Sequence, residues 1–231
     1  MTGPVNYRHD DPIAVITLDD GKVNALGPAM QQAITDALDS ADRDGVGAVV
    51  IAGNHRVFSG GFDLKILTSG DLQPAIDMLK GGFELAHRLL SSPKPVVIAC
   101  TGHAIAMGAF LLASGDHRVA AQAYNIQANE VAIGMTIPFA ALEIMKLRLT
   151  PSAYQQSAGL AKTFFGETAV AAGWLDEVVL PDMVLDRALE AAREFTTLNQ
   201  HAHHATKLRA RADALRGIRA GIDGMAAEFG L

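Results

Sequence analysis

A single cysteine, Cys100, stands among the 231 residues. An intrachain disulfide is therefore excluded, and a reducing compartment fits. Cysteine and carboxylate are also missing at ligand spacing beside His201, His203 and His204, which argues against a zinc site there. Ser59-Gly60-Gly61 lacks the G-x-G-x-x-G spacing, so no dinucleotide cofactor is indicated. Apolar runs stop short of the ~18–20 residues a membrane span needs, and residues 1–11 lack the apolar core of a signal peptide. Charge is nearly balanced: 19 Lys and Arg against 25 Asp and Glu give a net charge of −6, with no long block of either sign. General nucleic-acid binding is thereby disfavoured, although a local basic patch can still meet a phosphate. Together these absences predict a soluble, cytoplasmic protein with no membrane or nucleic-acid partner and no bound metal.

What is present is a chain 49% hydrophobic and 19% charged, ample for one large core or for a core with an appended helical piece. Residues 13–18 read as a strand and Asp19-Asp20-Gly21 as a turn. Pro28 opens a helix to about residue 42, with Ile34, Ala37, Leu38 and Ala41 on one face. Residues 46–52 form a second strand, apolar throughout, as expected when both faces are covered. Residues 64–90 read as mostly helical with a weak point at Gly81-Gly82. A third strand, residues 95–98, leads into a glycine-bearing segment and a helix from Met107 to about residue 114. Short strands are expected at 117–121 and 124–127, helices at 139–148, 151–160 and 168–173, and an edge strand at 174–179. This alternation predicts an α/β fold of stacked βαβ units. From Pro181 the chain reads as helix with a break at Asn199-Gln200, so residues 1–180 are expected as the core and residues 181–231 as a C-terminal helical region.

The chemistry concentrates in Ala99–Asp116, with Asn129-Glu130 shortly after it. Gly102 and Gly108 bracket small residues where backbone can approach a ligand closely. A helix starting near Met107 aims free N–H groups at whatever lies before it, a good place for an oxygen that becomes negative during a reaction. An ordinary strand–turn–helix packed through small residues is the plainer reading of the same stretch. A second glycine loop, Val57–Asp63, precedes it.

Four separated motifs agree in order and spacing: Asn24-Ala25-Leu26, Phe58-Ser-Gly-Gly-Phe-Asp-Leu-Lys65, Thr101-Gly-His-Ala-Ile-Ala-Met-Gly-Ala-Phe110, and Glu130. In this the chain resembles the crotonase family of enoyl-CoA hydratases and isomerases, over about residues 12–180. The resemblance implies a spiral of ββα turns, a homotrimer or a dimer of trimers, and a CoA thioester as substrate without a further cofactor. It implies that the thioester oxygen rests between the main-chain N–H groups of Phe62 and Met107. It also implies substrate and CoA contacts at Lys22, Val23, Ala25, Gly61, Asp63, Leu64, Lys65, Gly108 and Phe110. Two departures stand out: Ala106-Met-Gly108 replaces the usual Gly-Gly-Gly run, and Phe62 stands where alanine is common.

Family hydratases commonly use two glutamates. The position of the first is Phe110 here, and the second matches Glu130. A phenyl ring transfers no proton, whereas a single carboxylate can move one between two carbons. Asn129-Glu130 with the following residues to Pro138 resembles the mitochondrial 3,2-enoyl-CoA isomerases. The reading placed first is therefore double-bond isomerisation with Glu130 as acid and base, its pKa raised by an apolar pocket. Hydration of 2-enoyl-CoA stands second, and a non-catalytic acyl-CoA binding protein is the alternative from another class. Plainer roles remain beside these: Glu130 capping a turn or pairing with an arginine, Asp63 and Asp116 as caps, Glu143 in a salt bridge, His103 hydrogen-bonded to backbone, and Cys100 buried and inert. The basic run Lys207, Arg209, Arg211, Arg216 and Arg219 reads equally as a solvated helix face or as a contact for CoA phosphates; Lys22, Arg56 and Lys65, on loops near the expected CoA site, can also meet phosphates, but each alone reads first as a plain surface charge.

Overall fold

The computed structural model describes residues 3–230. Among them ten strands form two sheets: β1 (Val5–Asp10), β2 (Ile13–Leu18), β3 (Ala48–Ala52), β4 (Val57–Ser59), β5 (Val96–Cys100), β6 (His103–Ile105), β7 (His117–Ala121), β8 (Asn125–Gln127), β9 (Phe164–Phe165) and β10 (Glu177–Val179). The larger sheet has the order β1-β2-β3-β5-β7-β10 and the smaller β4-β6-β8-β9. From β2 to β10 every pairing in the larger sheet is parallel, and β1 adds an antiparallel edge. Each of β3, β5 and β7 runs on into a strand of the smaller sheet, β4, β6 and β8, before the chain leaves for helix. That repetition is the expected spiral of ββα turns.

Side-chain alternation explains why the central strands are apolar on both sides. Val49 and Ile51 of β3 enter the main core. Ala48, Val50 and Ala52 point the other way, with Val97 and Ala99 of β5 and Val119 and Ala121 of β7. The first face is covered by α1 (Pro28–Arg43), α3 (Leu72–Ser91) and α4 (Met107–Ala113), with α2 (Leu64–Leu67) between the first two in sequence. After α5 (Phe139–Arg148), α6 (Pro151–Leu160) and α7 (Gly166–Ala172), the chain covers the second face with α8 (Val184–Phe195). Val184, Ala188 and Ala192 of that helix meet the sheet, small residues that allow close approach. Next come α9 (Gln200–Ala210), α10 (Ala212–Asp223), which lies on α3 and α5, and α11 (Met225–Glu228).

Three local expectations change. The break in residues 64–90 falls at residues 68–71, where Gly70 takes φ +84° and the Asp71 side chain accepts the Gln73 N–H at 3.3 Å. Gly81 and Gly82 lie inside an unbroken α3. Their missing side chains make room instead. The Gln31 amide, which donates to Leu26 O at 2.9 Å and Met78 O at 2.8 Å, sits against Gly81, and the Phe62 ring sits against Gly82. Strand β1 has no counterpart in the sequence reading. In the C-terminal segment the break at Asn199 is found, with its side chain accepting the Ala202 N–H, but Arg211 and Gly224 interrupt the helix again.

Candidate active site

Three loops at one end of the sheets build the site. The first is the turn after β2. Asp20 accepts the N–H groups of Lys22 (2.7 Å), Asn24 (2.9 Å) and Ala25 (3.1 Å). Burial opposes the Asp20 charge, but these donors outweigh it and hold the carboxyl below its ordinary range. Asn24, fully buried at φ +51°, donates to Leu18 O and Phe58 O at 3.0 and 3.1 Å. The turn is thereby fixed to the second loop, after β4. Gly60 N–H donates to Val23 O and Leu26 N–H to Gly61 O, both at 2.8 Å. Ser59 Oγ donates to Asn24 O at 2.8 Å and accepts the Gly61 N–H at 3.2 Å. With its neighbours so engaged, the Phe62 N–H has no acceptor among the described residues.

The third loop opens α4. Ala106 N–H donates to Gln127 O at 2.8 Å, and Ala106 takes φ +52°, ψ −125°, a conformation that normally requires glycine. The turn is thus kept without the usual glycine run, at the cost of strain on one alanine. It leaves Met107 as the first helical residue, its N–H likewise without an acceptor among the described residues. The two loops touch: a Cβ on Gly61, itself at φ +94°, would stand 2.9 Å from Ala106 Cβ and 3.4 Å from Met107 N. Gly108 lies directly against Ser59, so any side chain there would strike that strand's backbone.

Glu130 follows β8 at the start of a 3-10 turn, Val131–Ile133. Its carbonyl accepts the N–H groups of Ile133 (3.1 Å) and Met135 (2.8 Å), and Gly134 at φ +80° closes the turn. The side chain takes no part in that cap. Only 7% of the residue is exposed, and its Oε2 is buried without a hydrogen-bond partner. Burial pushes the carboxyl up to about 7, opposed only by the residue's own backbone N–H. Asn129 Oδ1 beside it is also buried and unpartnered.

Between these loops lies an apolar cavity of about 130 Å³. Gly60, Ala106, Asn129 and Glu130 mark its polar end. Leu79, Phe83 and Phe110, all buried, form its floor, while Leu64, Leu67, Ile133 and Met135 form a partly exposed rim. The Phe62 ring meets Phe83 edge-on at 6.2 Å, and Phe83 stacks with Phe110 at 6.3 Å. Glu130 is the one ionisable side chain in the lining.

Of the residues expected to bind substrate, Phe62, Leu64, Phe110 and Glu130 therefore meet at one cavity. Lys22 and Val23 are exposed on the adjoining loop and Lys65 on α2, and Ala25 and Gly61 hold the loops together. Asp63 caps α2, accepting the Lys65 N–H at 2.9 Å. Gly108 is buried against Ser59 and packs α4 onto β4, outside the cavity lining. Leu67, Leu79, Phe83 and Met135 line the cavity without having been singled out. The apolar face of α3 beside Gly82 was the available signal for Phe83.

Other assignments also resolve. His103 Nδ1 accepts the Asn125 N–H at 3.0 Å. Cys100 is buried, and that burial pushes its thiol up to about 12. Glu143 pairs with Lys146 at 3.6 Å. Asp116 is not a helix cap. It accepts the Val96 N–H at 2.8 Å, Lys207 Nζ at 2.7 Å and Arg211 at 2.7 Å. Arg219 pairs with Glu84 and Arg216 with Asp213. The cations of that run other than Arg209 are thus paired within the chain, three of them across element boundaries, while Arg209 and Arg216 stand exposed on the helix surface.

The sequence profile of the enoyl-CoA hydratase/isomerase family matches residues 8–228. The chain belongs to that family. It is accordingly an enzyme of the crotonase fold, from a family named for CoA thioesters. A probable enoyl-CoA hydratase of Mycobacterium tuberculosis is 29% identical over 86% of this chain and 76% of its own length. A solved enoyl-CoA hydratase of Mycobacterium ulcerans is 79% identical, with TM-score 0.98 over 99% of this chain and all of the other. A solved enoyl-CoA isomerase of Mycobacterium tuberculosis is 78% identical, with TM-score 0.97 and the same coverage. The family's two names thus recur among very similar chains. No helix among the described residues is long and apolar enough to cross a membrane.

Proposed function

We propose that the enzyme moves a double bond from the 3 to the 2 position of an enoyl-CoA, with Glu130 as its single acid–base group. The observation that carries this reading is the lone carboxyl of the cavity: Glu130 Oε2 is buried, unpartnered and faced by phenylalanines, with Phe110 where a second acid would be needed. The thioester oxygen rests between the N–H groups of Phe62 and Met107, which have no other acceptor. Ionised Glu130 removes a proton from the α carbon. The electron pair moves onto the carbonyl oxygen, giving a dienolate held by the two N–H groups. Protonated Glu130 then returns the proton at the γ carbon, the electrons flow back, and the new double bond is conjugated with the thioester. A desolvated carboxylate with a pKa near 7 is a far stronger base than an exposed one, yet still ionises near neutral pH. Structures 78–80% identical carry the hydratase name as well as the isomerase name, so the order of preference rests on the lone carboxyl alone.

Hydration of 2-enoyl-CoA is the second reading, favoured by Asn129 Oδ1, a second buried acceptor in the same lining. A water donating to both residues would stand ready for deprotonation by Glu130. The CoA moiety falls to the adjoining loops, where Lys22 and Lys65 carry no ion pair among the described residues and are free for phosphates. The assembly proposed is a homotrimer or a dimer of trimers, which sedimentation would test. The deciding experiment is an assay of wild type and Glu130→Gln with 3-enoyl- and 2-enoyl-CoA. Isomerised product from the wild type and a loss of about three orders of magnitude in the variant support the reading. Retained activity in Glu130→Gln would remove Glu130 from the mechanism, and 3-hydroxyacyl-CoA as the main product would favour hydration.

A further inference from the structure

We propose that the site is built for short acyl groups, of four to six carbons, and that the packed row Phe62–Phe83–Phe110 against the bare backbone of Gly82 sets this limit. The inference rests on the reading that the thioester sits at the Phe62 and Met107 amides, and is independent of which reaction follows. An apolar cavity of about 150 Å³ holds one benzene, six carbons. The cavity here, of about 130 Å³, holds no more than that. Its polar end, with Gly60, Ala106 and Glu130, must take the carbonyl and the carbons on which Glu130 acts. Room remains for about two further carbons.

At the floor the path is closed. Leu79, Phe83 and Phe110 are at most 4% exposed, so no opening lies behind them. Phe83 is braced on both sides by aromatic rings, Phe62 edge-on and Phe110 stacked. Phe62 cannot retreat, because its ring already lies where a Gly82 side chain would be: a Cβ there would stand 2.5 Å from Cε1 and 2.7 Å from Cζ. Met107 Cγ lies 3.5 Å from the same point. A longer chain would have to displace rings from a close-packed wall, and such walls yield little, or turn out over the partly exposed rim of Leu64, Leu67, Ile133 and Met135, where added methylenes stay in water and gain little. Glycine at position 82 is thus what lets the ring lie back against α3 and leaves the cavity its present depth.

The test measures dissociation constants for saturated butanoyl-, hexanoyl-, octanoyl-, decanoyl- and dodecanoyl-CoA by titration calorimetry. These thioesters can be neither isomerised nor hydrated. A fitting methylene gains about fourfold in affinity, so hexanoyl-CoA should bind about fifteenfold more tightly than butanoyl-CoA, with no further gain at eight carbons and beyond. Phe110→Leu, chosen because it keeps the core filled, should move the optimum to eight carbons. Gly82→Ala should push the Phe62 ring into the cavity and weaken hexanoyl-CoA about tenfold relative to butanoyl-CoA. Affinity that climbs steadily to dodecanoyl-CoA in the wild type, or an optimum that neither variant moves, overturns the proposal. Failure of every acyl-CoA to bind overturns both this inference and the site it rests on. An intact length optimum in a protein without isomerase activity sinks only the assigned reaction.

Discussion

Two carboxylates, the buried Glu130 and the mostly buried Asp116, show opposite uses of the same group. Asp116 lies between α4 and β7, Glu130 just after β8, and each is largely withdrawn from solvent. Asp116 is met from three directions: the Val96 N–H, Lys207 and Arg211, all at 2.7–2.8 Å. It ties α9 and the start of α10 to the sheet. Glu130 Oε2 meets no hydrogen-bond partner, and apart from Asn129 the side chains lining its cavity are aromatic or aliphatic. A buried acceptor without a partner costs about 1–3 kcal/mol, a cost the fold carries at a place where a ligand can relieve it. The lesson is that burial alone does not mark a catalytic acid; burial with the hydrogen-bonding left undone does.

The contrast can be broken at either carboxylate. The largest effect expected is kinetic: Glu130→Gln should lower kcat/KM on a 3-enoyl-CoA by about three orders of magnitude while circular dichroism stays native. Asp116→Ala should do the reverse. It strands Lys207, whose side chain is 3% exposed. About 3 kcal/mol of stability should be lost in denaturant titration, with turnover per folded molecule retained.

Third in size is a gain of stability in Glu130→Gln. The folded-state pKa of Glu130 is raised, from an ordinary 4.5 to about 7. The folded state therefore binds this proton more tightly than the unfolded state does. The resulting stabilisation is complete below pH 4.5 and is lost as pH rises through 7. At pH 8 the ionised carboxylate should cost up to about 3 kcal/mol, so the neutral glutamine should melt higher than wild type there and equal it near pH 4.5. Last, Ala106→Gly should stabilise by about 1 kcal/mol, since the strain removed from a φ +52° alanine exceeds the added chain entropy of glycine. Differential scanning calorimetry checks both.

Much of this is legible in the amino-acid sequence. The βαβ alternation was readable because β3 and β5 are apolar on both faces and the helices between them keep their period. Glu130, Phe110 and the two loops were legible as motifs because glycine and a lone acid leave strong marks in sequence. Short strands such as β4 and β6 were not, since three residues carry no periodicity. The Gly81-Gly82 pair misled for a physical reason: propensity counts a glycine pair as a helix break, whereas here it admits Phe62 and Gln31 from other parts of the chain. The ion-pair role of Asp116 was hidden because Lys207 and Arg211 lie more than ninety positions away.

The most direct test of an unpartnered, ionisable Glu130 is the pH dependence of kcat/KM for isomerisation of a 3-enoyl-CoA between pH 5 and 9. A carboxylate base with its pKa at about 7 predicts a tenfold rise per pH unit on the acid side and a plateau above pH 8. A profile already flat at pH 5.5 would mean that the base has an ordinary carboxylate pKa, and that Glu130 is not the group that takes the proton.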